Sequence, residues 1–266
     1  MDFIKSVINN RKLILQLGLN NLKNRFANTS LGVIWGFIQP FVFMFTYAIV
    51  FQFILKAGNS GNDPYVVWFI PGMSIWQFIN ESILAGSSSI RNFSYLVKKV
   101  VFPVEVIPVI SFVSSAIVGF FLMLVSVAIC LAFGYYPNLI KFIYIVIASS
   151  CLIIAIVRIT SAISTLVPDF EQLLSVAMQL LFWFTPVIWG IERITASSVP
   201  FLAKIINFMP FAYLVNGFRS VFISTENVLT QNNCIYTIFF WVITAILLFW
   251  GNKIFAKSKK DFADVL

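Results

Sequence analysis

The chain has 266 residues, 60% of them hydrophobic and only 11% charged, where a soluble domain carries about 25% charged residues. That composition excludes an ordinary soluble globule. The net charge of +8 does not indicate a nucleic-acid partner either, because Lys and Arg are scattered between apolar runs rather than gathered in one domain.

From the start of the chain, apolar residues fall at helical spacing (Ile4, Val7, Ile8, Leu15, Leu19, Leu22, Phe26), with Gln16, Asn20, Lys23 and Asn24 opposite. Residues 1–29 therefore read as an amphipathic helix lying in a membrane interface, with a solvated helix packed on a partner as the alternative. Asp2, Lys5, Arg11, Lys12 and Lys23 interrupt the segment, so it lacks the apolar core of a cleavable leader and is expected to stay cytoplasmic. Asn28, Thr29 and Ser30 offer capping side chains for the next helix.

Six apolar runs are each long enough to cross about 30 Å of hydrocarbon: residues 31–55, 65–84, 104–133, 139–166, 173–191 and 234–255. The expectation is an all-α integral membrane protein. Its single transmembrane domain (1–266) comprises a six-span core over 31–255 and a tail over 256–266. Residues 199–222 are broken by Pro200, Lys204, Pro210 and Arg219, and read as two short re-entrant helices before the last span. With the N-terminus inside, 13 of the 18 Lys and Arg lie on inner segments (Lys5, Arg11, Lys12, Lys23, Arg25, Arg91, Lys98, Lys99, Arg158, Lys253, Lys257, Lys259, Lys260). Lys56, Lys141, Arg193, Lys204 and Arg219 fall outside, which fits the positive-inside rule and an even number of spans. Cys130, Cys151 and Cys234 sit singly within apolar runs and read as small hydrophobes.

The chain has no His, no CxxC, no Walker-type phosphate loop and no GxSxG, so zinc catalysis, ATP hydrolysis and elbow-type serine chemistry all lack their parts. Arg158 is the deepest charge, and either snorkels or pairs with Glu81 or Glu105, which lie near the inner ends of their spans. Ser111, Ser115 and Gly119, with Ser161 and Thr165, form small-residue faces for close helix packing, within the chain or between copies. Trp35, Trp68, Trp189 and Trp250 fall at the depths of interfacial belts. Trp76 and Trp183 fall near mid-span with Gln39, Tyr47, Gln77 and Gln179. Indole and amide groups at that depth suit either interhelical packing or a pathway for sugar rings.

Four stretches in order resemble the permease subunits of ABC exporters that move lipid-linked polysaccharides such as O-antigen, capsule and teichoic acid. They are Arg25 with SLGVIWGFIQP (30–40), KKVVFP (98–103), FWFTPVIW (182–189) and MPFAYLVNGFRSVF (209–222). The resemblance implies a homodimer bearing two copies of a separate ATPase subunit, which would bind the ATP and Mg, and a coupling segment around Arg91, Lys98 and Lys99. It implies no catalytic residue, no metal and no cofactor in this chain. The alternatives are an ABC permease for drugs or lipids, and a membrane-embedded glycosyl- or acyltransferase, for which Glu81, Glu105, Asp169 and Glu171 are the available inner carboxylates.

Overall fold

The structure, a computed structural model, describes residues 2–54, 63–98, 102–191, 200–223 and 234–265. Leu55, Lys56, Lys99, Arg193 and Val199, named above, lie outside the described residues. Among the described residues every long element is a helix and there is no β-strand.

The N-terminal amphipathic segment forms two helices, α1 (Asp2–Asn9) and α2 (Arg11–Arg25). They part at Asn10, whose side-chain amide donates to the Ser6 carbonyl at 2.8 Å. Ile14, Gly18 and Leu22 recur every four residues and form the buried face of α2. That face lies on the helix Ile107–Ala132, where a Cβ added at Gly18 would come within 2.8 Å of Val113 Cγ1. Leu15 and Leu19 stay exposed on the other side, as does Ile8 of α1.

The expected cap at the next helix is not formed. Thr29 instead turns its hydroxyl back to the Phe26 carbonyl at 2.8 Å, and Gly32, at φ +54°, leads through a 3-10 turn into α3 (Trp35–Ile49). A π-helical turn, Val50–Ile54, continues it. The second apolar run forms α4 (Tyr65–Ser87), followed by two single turns, α5 (Ser89–Asn92) and α6 (Ser94–Val97). The third and fourth runs form α7 (Ile107–Ala132) and α8 (Leu139–Leu166). Asn138 Oδ1 caps α8 by accepting from the Lys141 backbone N–H at 3.2 Å.

The fifth run is shorter and earlier than its composition suggests. It forms α9 (Phe170–Phe184), because Pro186 holds Thr185 at ψ 137° and ends the helix. Then come α10 (Pro200–Asn207), α11 (Pro210–Arg219), α12 (Cys234–Ser258) and a terminal turn, α13 (Phe262–Val265). The three cysteines are free thiols.

Among the described residues, four helical stretches are long and apolar enough to cross a bilayer: Gly32–Ile54, Val104–Ala132, Leu139–Leu166 and Cys234–Ser258. The α10–α11 pair bends by 83° between its two helices. Phe211 meets Trp76 midway along α4 (ring centroids 6.0 Å apart), whereas eight residues later Arg219 meets Trp68 near the start of α4. α11 thus climbs from the middle of the bundle toward the end where α4 begins.

α4 is the hub, buried on nearly every side. Small residues let its neighbours approach, which matters because helices in lipid associate by packing rather than by water exclusion. A Cβ at Gly119 would come within 2.3 Å of Phe78, and one at Gly86 within 2.5 Å of Val157. The Ser111–Ser115–Gly119 face therefore packs within the chain, α7 on α4. α12 lies on α8, with Gly251 against the Ala155 carbonyl. Tyr213 of α11 and Tyr144 of α8 share a hydroxyl contact of 2.8 Å, and Trp241 Nε1 of α12 donates to Tyr144 at 2.9 Å.

Three ion pairs gather at one end of the bundle. Arg25 joins α2 to Glu81 of α4 (2.5 Å), Arg91 joins α5 to Glu171 of α9 (2.5 Å), and Lys259 joins the C-terminal segment to Glu105 before α7 (3.1 Å). Beneath them Ile14, Ile90, Phe93, Leu96, Ile107, Phe255 and Phe262 form a second apolar cluster. At the opposite end, Tyr135 after α7 donates to Asp63 Oδ1 at 2.7 Å, which holds the phenol above its ordinary value.

Candidate functional site

The groove beside α4 is built by helical periodicity on three helices. On α4, Met73, Trp76, Gln77, Asn80, Glu81 and Leu84 recur at spacings of three and one, and so share one face. α3 sets Gln39, Phe43 and Tyr47 opposite, one per turn. α9 contributes Ser175, Met178, Gln179, Phe182 and Trp183. The groove holds two cavities of about 330 and 340 Å³ that share Phe43, Gln77 and Asn80, and so adjoin. The first is closed by α2 (Leu22, Arg25, Phe26) and α7 (Ser115, Val118, Gly119, Leu122), and the second by α9.

The mid-span polar and aromatic residues come together here. Gln39 lines the first cavity, Gln77 both, and Tyr47, Trp76, Gln179 and Trp183 the second. The two tryptophans differ in setting. Trp76 is 3% exposed and packs against Phe182 (5.8 Å) and Phe211 (6.0 Å), whereas Trp183 is 56% exposed. The Trp183 carbonyl accepts from Trp189 Nε1 at 3.0 Å. Phe182 joins the set through its edge contact with Tyr47 at 6.2 Å. Asn80, Phe43 and Phe182 were not singled out from the sequence, although Asn80 follows Trp76 and Gln77 by one turn and its face was readable.

The charged residues arrange differently from the expected pairing. Glu81 is taken by Arg25 and Glu105 by Lys259, so neither forms an ion pair with Arg158. Arg158 is 3% exposed, with its guanidinium over the rings of Phe3 (3.9 Å) and Phe255 (4.6 Å), while its Nε and Nη1 have no hydrogen-bond partner. Arg91 is engaged with Glu171, and Lys98 is exposed.

Arg219, read from the sequence as an outer-side charge, is fully buried. Its Nε donates to the Trp68 carbonyl (3.0 Å), Nη1 to the Pro186 carbonyl (2.6 Å) and Asn216 Oδ1 (3.0 Å), and Nη2 to the Val187 carbonyl (2.7 Å). Its guanidinium lies 3.5 Å over the Trp68 ring. Trp68 is therefore a core residue and not part of an exposed belt, unlike Trp35 (41% exposed) and Trp250 (52%). One side chain rivets α4, α11 and the turn after α9.

The groove contains amides, aromatic rings and one ion pair. It offers hydrogen bonds and stacking surfaces, with no nucleophile and base in contact. No cluster of metal-ligating side chains occurs among the described residues.

The four described helical stretches long and apolar enough to cross a bilayer define a multi-pass membrane protein. Residues 12–223 match the family described as ABC-2 type transporter, and the chain belongs to that family. The chain is 25% identical over 264 residues to the O-antigen export system permease protein RfbA of Myxococcus xanthus, covering 98% of each protein. It is likewise 25% identical over 258 residues to a permease of the same name from Klebsiella pneumoniae, covering 96% of this chain and 95% of that one.

Proposed function

We propose that this chain is the transmembrane subunit of an ATP-driven exporter that moves a lipid-linked polysaccharide across the bacterial cytoplasmic membrane. The observation that carries the reading is similarity, over almost the whole of both chains, to permeases named for O-antigen export. The groove adds chemistry of the right kind, since aromatic rings beside side-chain amides suit sugar rings.

In this reading α3, α4, α7, α8, α9 and α12 make six crossings, the α10–α11 pair dips in and returns, and both termini are cytoplasmic. α1 and α2 lie at the cytoplasmic interface. Two copies associate, and two copies of an ATPase subunit bind ATP and Mg and press on the segment containing α5 and α6. Arg91, through Glu171, passes that movement to the foot of α9, a groove wall. Export then follows from helix displacement, with no bond chemistry in this chain.

The test is twofold. The tagged full chain, produced with its neighbouring gene products, should bring down an ATPase. Trp183→Ala should lower glycan export at least about tenfold while leaving protein yield unchanged, because the exposed indole contributes little to the fold. An unaltered export rate removes the groove from the pathway.

A further inference from the structure

The two joined cavities carry a charge pattern that bears on what can travel through them. Among their described lining residues Arg25 is the one cation and Glu81 the one anion, and they neutralise each other at 2.5 Å. Both remain partly exposed, at 28% and 47% of their side-chain surface, so the pair faces the cavity rather than being sealed within protein. Around it stand only neutral hydrogen-bonding groups: Gln39, Gln77, Asn80 and Ser115. Ser115 borders the first cavity, but its hydroxyl is sealed from it, which leaves the three amides as the neutral groups a ligand can reach.

From this we propose that the first cavity is a subsite for a neutral, hydroxyl-rich glycosyl unit, and that it selects against repeats bearing phosphate or carboxylate groups. The inference rests on the sugar-pathway reading above and narrows its substrate class. Sugar hydroxyls both donate and accept, as do the three amides, and the Glu81 carboxylate accepts from hydroxyls while Arg25 holds it in place. Arg25 is thus a positioning residue. An anionic repeat meets the opposite situation, since Arg25 is already engaged and the second Glu81 carboxylate oxygen repels it. A polyanion would need a lining with surplus Arg or Lys, and the described residues of neither cavity supply one.

The test uses the full chain in lipid nanodiscs and two probes of equal length, a neutral malto-oligosaccharide and an oligogalacturonate, with affinities measured by saturation-transfer NMR. Wild type should bind the neutral probe about tenfold more tightly, with little dependence on salt. Glu81→Gln leaves Arg25 unopposed and should erase or invert that ratio, whereas Arg25→Gln should widen it. The double replacement Arg25→Gln with Glu81→Gln is again neutral and should return the ratio to within about threefold of wild type, which separates charge from misfolding. Equal binding of both probes to wild type, or a ratio unmoved by Glu81→Gln, overturns the selectivity while leaving the sugar pathway standing. Binding of neither probe, together with export unaffected by Trp183→Ala, overturns both.

Discussion

Among the described residues two arginines are buried, and the molecule treats them in opposite ways. Arg219 donates four hydrogen bonds, to three backbone carbonyls and the Asn216 side chain, and stacks on Trp68. Arg158 is sandwiched between Phe3 and Phe255 and leaves Nε and Nη1 without acceptors. Burying a charge stabilises nothing by itself, because the lost hydration must be replaced by well-aimed acceptors. Arg219 has such acceptors where the turn after α9 leaves its carbonyls free, and so becomes a structural joint. Arg158 replaces its hydration mainly with ring faces, which offset only part of the loss.

The largest effect is therefore expected at Arg219. Arg219→Met strands the Pro186 and Val187 carbonyls and unfastens three elements at once, a loss of about 3–5 kcal/mol. The measurement is the unfolding free energy of the full chain in detergent micelles. Arg219→Lys keeps the charge but not the planar fork, and should fall between wild type and Met. Equal stability for Met and wild type would make the hydrogen bonds ornamental and dissolve the contrast.

Next in size is Gly72→Ala. The new Cβ would sit 2.6 Å from Arg219 Nη2 and 2.8 Å from Nε, so the guanidinium must move off its acceptors, at about 1–3 kcal/mol. The sharper reading is non-additivity: with Met already at position 219, Gly72→Ala should cost distinctly less. Additive costs would show that the alanine clashes with something other than Arg219.

These joints also mark where sequence reasoning stopped. The run that became α8 was legible to the residue, because Asn138 caps one end and Pro168 follows the other. The groove was largely legible too. Gln39, Tyr47, Trp76, Gln77, Gln179 and Trp183 stand at matching depth on separate runs, and depth survives folding of parallel-sided helices. Partners that depend on which helix stands beside which were not legible. Arg25 and Glu81 are 56 positions apart, and Arg219 bonds backbone carbonyls that carry no side-chain signature. The α9 boundary was misread because hydropathy continues through Val187 and Ile188, while the chain direction is set by Pro186.

A smaller effect is expected at Arg158. Its unpaired N–H groups cost about 1–3 kcal/mol and its two ring contacts return about 0.5–2 kcal/mol, so the terms nearly cancel. Arg158→Met keeps the length and the contact with both rings, and should change the unfolding free energy by less than about 1 kcal/mol. A loss as large as that of Arg219→Met would erase the distinction between the two sites.

The smallest effect isolates what Arg158 does contribute. Phe3 belongs to α1 and Phe255 to α12, so the guanidinium bridges the N-terminal helix to the last long helix across α8. Phe3→Leu preserves apolar bulk but removes one ring face, and should weaken this docking by about 0.5–1 kcal/mol. The substitution acts locally, so protease sensitivity of the α1–α2 segment is the proper readout, rather than global unfolding. If the ring works through the charge, Phe3→Leu should have no further effect once residue 158 is Met. If the two losses simply add, Phe3 is held by apolar contact alone, and Arg158 is a tolerated burial rather than a fastening.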